Sequence, residues 1–205
     1  MFRGCRSIAH GAMLAAAAAL LANCSNLPAA RAERIYEGRF ALSAVGARHT
    51  DGATGRFTLS IRHDGLTLDL ASPFGTTIAR IESEPGLAKL TVPGNAEASQ
   101  SDKDGLDALT QRALGWRLPV GGLASWIDGQ PAPEFTEAAR TAVSGDTFVQ
   151  QGWTITVLER FDGGQPKQLK MERPADEAGA PAMSIRLILD HPPLTNPTAT
   201  PSPHA

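Results

Sequence analysis

The chain reads as a mainly β protein: a strongly curved antiparallel sheet with one apolar face, and a few helices that can lie over that face. Three observations lead there. Stretches of strict two-residue alternation recur from Phe40 to Leu189, tight-turn signals separate them, and the alternation breaks once, between Ser101 and Pro131, for a helical period. With 205 residues, 42% of them hydrophobic and 20% charged, the chain can bury a core as one domain.

The first segment is a leader. "MFRGCRSIAHGAMLAAAAALLANCSN" carries Arg3 and Arg6 and then an apolar run from Gly11 to Leu21, the layout of a secretory signal. That run has 11 residues, whereas a membrane-spanning helix needs about 20. Two exits compete. "LANC", Leu21 to Cys24, is similar to the lipobox of bacterial lipoproteins, in which the cysteine is acylated and becomes the first residue; Asn23 stands where Gly, Ala or Ser is usual. "ARA", Ala30 to Ala32, would instead suit ordinary cleavage before Glu33 and release a soluble periplasmic protein. Cysteine usage favours the lipobox. The only cysteines are Cys5, inside the leader, and Cys24, so the mature chain holds no pair for an internal disulfide.

Residues 1–23 are therefore expected to be a signal peptide, Cys24 the point of lipid attachment, and residues 24–35 an anchored tether without sustained period. Ser25, not Asp, follows the cysteine, which under the sorting rule of bacterial lipoproteins implies the outer membrane. Loss of the leader removes two arginines and no acid, taking the net charge from -2 to -4. Neither a basic face for nucleic acid nor an acidic tail is present.

Order is expected to begin near Tyr36. In "GRFALSAV", Phe40 and Leu42 alternate with Arg39, Ala41 and Ser43; in "GRFTLSIRHDGLTLDL", Phe57, Leu59 and Ile61 share one face. Asp64-Gly65 is a two-residue hairpin signal, and counting back from it pairs Ile61 with Leu68 and Leu59 with Leu70. A second hairpin turning at Pro85-Gly86 pairs Ile81 with Leu90, Ala79 with Val92, and Glu82 with Lys89 on the wet face.

The helical interruption comes next. "SDKDGLDALTQRAL" offers Ser101 or Asp102 as N-cap, Leu106, Leu109, Ala113 and Leu114 at helical spacing, and Gly115 as the stop. Pro119 then suits a first helical position, Val120, Leu123, Trp126 and Ile127 form a second apolar stripe, and Gly129 and Pro131 end it. Alternation returns with Trp153, Ile155 and Val157, with Leu169 and Met171, and with Ile185, Leu187 and Leu189. The stretch "PADEAGAP" is a polar loop, and residues 191–205, rich in proline, are expected to be disordered, which leaves 36–190 for the fold.

"GRFALS", "ASPFGTTIARI", "LGWRLPVGGLASWIDGQP", "QQGWTITV", "QLKMER" and "SIRLIL" resemble, in that order, the LolB family of outer-membrane lipoprotein receptors. The most specific element is G-W-x-L-P-V-x-x-L-x-x-W-I-x-G-x-P, from Gly115 to Pro131. The resemblance implies an open, incompletely closed antiparallel barrel with a helical lid over a hydrophobic cavity. It implies a protein that accepts acylated lipoproteins from the periplasmic carrier LolA and inserts them into the outer membrane, as a monomer and without cofactor. On that reading the acyl-chain cavity draws on Phe40, Leu42, Phe57, Leu59, Leu68, Leu70, Ile81, Leu90, Leu109, Trp116, Leu118, Leu123, Trp126, Ile127, Trp153 and Ile155.

Trp116 and Trp126 have two readings: rings that fill an ordinary core, or rigid rings that flank acyl chains in a cavity or its lid. Gly115, Gly121, Gly122 and Gly129 would either let lid helices pivot or serve as caps. In "SPFGTT", Pro73 and Gly75 mark a turn around Phe74. A ring tucked under the core edge and an exposed tip are both open, and the resemblance implies the tip, with Phe74 as the membrane-insertion residue.

Other classes fit less well. The histidines His10, His49, His63, His191 and His204 fall in no metal-ligand spacing, no G-x-S-x-G is present, and Asp102, Asp104 and Asp107 sit where helix starts favour acids. No catalytic residue or metal site is therefore expected. A carrier for another envelope lipid, such as a glycolipid, is the nearer rival, and a lipid hydrolase the remoter one.

Overall fold

A computed structural model describes residues 33–196, apart from 47–49, 95–97, 101–108, 112–113, 115–116, 136–139, 142–144 and 177–179. The leader, Cys24, the tether up to 32, Trp116 and the tail from 197 lie outside the described residues.

Six strands precede the helical segment: β1 (Glu33–Val45), β2 (Thr50–Arg62), β3 (Gly65–Ala71), β4 (Thr77–Glu84), β5 (Leu87–Thr91) and β6 (Ala98–Gln100). Six follow it: β7 (Arg140–Thr141), β8 (Thr147–Gln150), β9 (Trp153–Arg160), β10 (Pro166–Arg173), β11 (Ala182–Leu189) and β12 (Leu194–Asn196). They make one antiparallel sheet in the order β6-β5-β4-β3-β2-β1-β11-β10-β9-β8-β7, with β12 on the first residues of β1. The two halves of the chain meet where β1 pairs with β11, Gly38 opposite Leu189 through Val45 opposite Ala182. Strands β6 and β7 stand at the two ends, and no ladder joins them among the described residues, so the sheet stays open. The chain leaves one free edge for the helical segment and returns at the other.

Alternation sorts the residues as read. Phe40 and Leu42 of β1, Phe57 and Leu59 of β2, Leu68 and Leu70 of β3, Ile81 of β4 and Leu90 of β5 are buried on one face, joined by Trp153, Ile155 and Val157 of β9, Leu169 and Met171 of β10, and Ile185, Leu187 and Leu189 of β11. All belong to one apolar cluster, so neither half of the sheet has a core of its own.

The hairpin at Pro85-Gly86 has the expected register, with Ile81 opposite Leu90 and Glu82 opposite Lys89, whose charged ends lie 3.7 Å apart. Gly86, at φ +80, supplies the conformation that a turn with proline in its first central position demands of the second. The β2–β3 hairpin differs from the sequence reading. Its two loop residues are His63 and Asp64, so Arg62 faces Gly65, Ile61 faces Leu66, Leu59 faces Leu68 and Phe57 faces Leu70. A shift of two residues leaves every side chain on its own face, and for that reason hydrophobic patterning could not detect it. Gly65 is not a turn residue here. It lies in β3 because the Ser83 carbonyl oxygen of β4 passes 2.0 Å from where a Cβ would stand.

Three further differences concern edges. Strand β1 begins at Glu33, three residues before the expected start. β12 falls in the stretch read as a disordered tail: Leu194 faces Ile35 and Asn196 faces Glu33, backbone pairing that needs no apolar pattern and leaves its side chains exposed. Pro119 is the N-cap of α1 (Val120–Trp126), one residue earlier than its expected position inside the helix.

Candidate functional site

The helical segment covers the inner face of the sheet. Leu109, Thr110, Gln111 and Leu114 are helical, the chain passes Leu118 and Pro119, and α1 follows. α1 has no side-chain cap, no acid in its first turn and no base in its last, so it is held by what it packs against rather than by its own ends.

Between this cover and the sheet lies a cavity of about 60 Å³ with a wholly apolar lining. Phe40, Leu42, Ala53, Phe57, Leu68, Leu70 and Ile78 line it from β1 to β4, Met171, Ile185 and Leu187 from β10 and β11, and Leu114, Leu118, Pro119, Val120 and Leu123 from the cover. A void of that size without polar groups gives water no partners. It is also too small for a long acyl chain, so occupancy by one requires the cover to lift.

Seven of the sequence-derived cavity residues thus line one space: Phe40, Leu42, Phe57, Leu68, Leu70, Leu118 and Leu123. Leu59, Ile81, Leu90, Leu109, Trp126, Ile127, Trp153 and Ile155 are buried in the same apolar cluster but away from the cavity wall. Among residues that the sequence reading left out of the cavity, Met171, Ile185 and Leu187 were legible as inward strand positions. Ala53 and Ile78 were not: Ala53 is a small residue between Gly52 and Thr54, and Ile78 is out of step with the inward pair Ala79 and Ile81.

Trp126 takes a different place from the cavity wall. Its ring lies over Gly122, where any Cβ would come within 2.4 Å of the indole, and it packs 6.2 Å from the Phe135 ring. Its Nε1–H donates to Oε1 of the buried Gln150 at 2.9 Å. The same oxygen accepts from the Ala132 N–H at 2.8 Å, and Gln150 Nε2 donates back to the Ala132 carbonyl at 2.9 Å. One amide of β8 therefore fixes the C-terminal end of α1 and the chain beyond it.

A second clasp lies beside it. Gly129, at φ +70, ends the helical turn and leaves Asp128 pointing to β1, where Tyr36 donates its hydroxyl to Asp128 Oδ1 at 2.7 Å and Arg34 donates Nη1 to Asp128 Oδ2. Burial, and then the bond to the Asp128 carboxylate, push the Tyr36 hydroxyl well above its ordinary value of about 10. The folded state therefore favours the neutral phenol. Its contribution is complete below about pH 10 and is lost as pH climbs from there toward the raised folded value. Alkaline denaturation should accordingly show stability falling above about pH 10, with a flatter profile in Tyr36→Phe; equal slopes would mean that the clasp contributes nothing.

Among the described residues, the opposite end of α1 has fewer ties. The Leu118 N–H donates to the buried Thr110 Oγ1 at 3.0 Å, and otherwise Leu118 to Leu123 meet the sheet through apolar contact across the cavity. The cover is thus anchored by polar bonds at Trp126 and Asp128 and seated by hydrophobic contact where the cavity lies.

The Phe74 turn stands outside this core. Ser72, Pro73, Phe74 and Gly75 form a turn closed by the Gly75 N–H on the Ser72 carbonyl at 2.9 Å, with Gly75 at φ +85. Thr76 adds two bonds to Ser72, its carbonyl accepting from the backbone N–H at 2.7 Å and its own N–H donating to Oγ at 3.2 Å. The Phe74 ring at the tip is 96% exposed.

An open antiparallel sheet, a helical cover and an apolar space between them accompany a sequence that matches the family model "Outer membrane lipoprotein LolB" over residues 35–191. The chain belongs to the LolB family. Curated LolB proteins are similar along most of their length: that of Cupriavidus metallidurans is 31% identical over 169 residues, covering 78% of this chain and 80% of the relative. The LolB of Bordetella petrii is 36% identical over 178 residues, 80% and 85% of the two chains. The LolB of Ralstonia nicotianae is 33% identical over 165 residues, 76% and 78%. A solved LolA superfamily protein from Nitrosomonas europaea is a distant likeness, 12% identical with a TM-score of 0.40, covering 80% of this chain and 86% of its own.

Proposed function

We propose that this chain is an outer-membrane lipoprotein receptor that takes acylated lipoproteins from a LolA-like periplasmic carrier and passes them into the outer membrane. The observation that carries the proposal is the wholly apolar cavity between an open sheet and a cover seated there by apolar contact. Family membership supports the same reading.

Each buried acyl methylene is worth about 0.8 kcal/mol, so a long chain does not leave a carrier for water at a useful rate. Transfer from mouth to mouth avoids that step. Leu118 to Leu123 lift with the incoming chains while the Gln150 and Asp128 bonds hold the far end of α1 as a pivot. The chains replace the contacts that the cover made with Phe40, Leu68 and Leu70, so opening exposes little apolar surface to water. No covalent step is involved. A single copy suffices, and acylated Cys24 tethers it to the membrane; mass spectrometry of the native N-terminus should find that cysteine first, and an unmodified Glu33 first would exclude the tether.

The direct test is reconstitution. The receptor should speed movement of an acylated lipoprotein from a loaded LolA-like carrier to lipid vesicles. Failure to accept the lipoprotein, together with a different lipid class in the mass spectrum of the purified receptor, would favour a carrier of another envelope lipid.

A further inference from the structure

The outer face of the sheet holds a feature that acyl-chain transfer does not use. Arg39 of β1 and Arg56 of β2 face each other directly across the ladder, and Arg186 of β11 lies opposite Ala41, one step along the same face. Like charges in directly opposed positions destabilise a sheet. Asp190 relieves part of this, accepting from Arg56 at 2.7 Å and lying 3.8 Å from Arg39. Arg186 meets no carboxylate among the described residues, and Lys170 opposite it is held by Glu172 at 2.8 Å. Glu37, the other acid near this end of β1, is engaged by His191 at 3.3 Å. Three guanidinium groups thus share one neutralising acid.

These three arginines border one shallow depression of about 320 Å³, whose rim is completed by Pro73. Pro73 precedes Phe74, so the excess positive charge sits beside the exposed aromatic tip. Arg56 also pairs with Ala71, the last residue of β3 before that turn.

We propose that Arg39, Arg56 and Arg186 form a recognition site for the phosphate of anionic membrane lipids, placed to engage headgroups while Phe74 enters the interface. The inference rests on the reading of Phe74 as a membrane-facing tip. Guanidinium groups bind phosphate oxygens through paired, charge-assisted hydrogen bonds, and several on one rigid sheet face are already oriented for a single anion. The site would align the receptor on lipid, and it would oppose no buried structure, since all three side chains point outward.

The test uses a chain starting at residue 24 with Cys24→Ala, which keeps the whole folded unit of Ala32–Asn196. Binding is measured on phosphatidylcholine vesicles with and without phosphatidylglycerol. Each arginine near an anionic surface is worth roughly fivefold in partitioning, so Arg39→Gln/Arg186→Gln should lose about 30-fold of the preference for phosphatidylglycerol while binding neutral vesicles and unfolding as before. Retention of that preference by the double variant overturns the proposal. So does loss of binding to the purified periplasmic carrier with lipid binding intact, which would make the patch a protein-docking surface. Saturable binding of inorganic phosphate without any vesicle preference would likewise replace the lipid by a free anion. Phe74→Ala, which adds no charge, separates the two readings: it should weaken binding to both vesicle types equally and leave the phosphatidylglycerol increment intact. If it changes neither, the tip reading fails on its own, whatever the arginines do.

Discussion

Phe74→Glu is expected to fold and to accept lipoprotein from the carrier at the normal rate, yet to release it into lipid roughly ten- to a hundredfold more slowly, the worth of burying one aromatic ring. The ring is 96% exposed and makes no core contact, so its loss costs the fold little. Its position is built, not accidental. Proline at the first central residue, glycine at φ +85 in the fourth, and the bonds between Ser72 and Thr76 hold Phe74 at the apex of a stiff turn, so little order has to be gained when it meets the membrane. Glutamate there adds a charge that the bilayer interior resists and that anionic headgroups repel. Stopped-flow transfer into vesicles, with acceptance and delivery timed separately, distinguishes the step. A variant that delivers at the normal rate would assign Phe74 no part in release, and one that unfolds would make it structural.

The second large effect is on stability. Gln150→Leu removes the acceptor of the Ala132 N–H and of the Trp126 N–H, leaving two buried donors unpaired, and leaves the Ala132 carbonyl with only the long bond from the Phe135 N–H at 3.4 Å. At about 1 to 3 kcal/mol for each unpaired group, partly relieved by relaxation, the loss should come to about 3 to 5 kcal/mol and lower Tm by roughly 10 °C. The effect should extend beyond the global fold. With only the Asp128 clasp left to hold that end, α1 should loosen on the sheet, and amide exchange in Val120–Trp126 should rise well above that of β1, β2 and β11, which stay protected. Unchanged Tm and exchange would mean that the amide is dispensable and that Trp126 is held by packing alone.

The strands were legible where one face is buried along its whole length. Phe57, Leu59, Leu66, Leu68 and Leu70 keep their side of the sheet under any shift by an even number of residues, and the same property hid the two-residue error at His63-Asp64. The Pro85-Gly86 turn was legible because proline and glycine each fix a dihedral. The turn between β8 and β9 was not: Gln151 at φ 53 and Gly152 at φ 74 make a two-residue turn of the type usually signalled by Asn-Gly, and glutamine in that place gives no such signal. β12 escaped because its partner is backbone, and its exposed side chains carry no period.

The site was legible by half for a related reason. Alternation says which residues point inward, and Trp126, Trp153 and Ile155 do so as surely as Leu68 and Leu70. Which inward positions remain in contact with space depends on where the cover sits. That is set by Gln150, a polar residue in an apolar row whose partners lie 18 and 24 residues away in sequence. No local pattern announces such a bond.

Occupation of the space between Leu118–Leu123 and the sheet by acyl chains is read out by a photo-crosslinking amino acid at Leu68, on the cavity wall, and at Ile155, buried away from it. Each folded variant is loaded with acylated lipoprotein from the carrier and irradiated. Capture of the acyl chains at 68 with little at 155 is the predicted result. Absence of capture at 68 in a variant that still accepts lipoprotein would leave the cavity a filled core and place the acyl chains elsewhere on the protein.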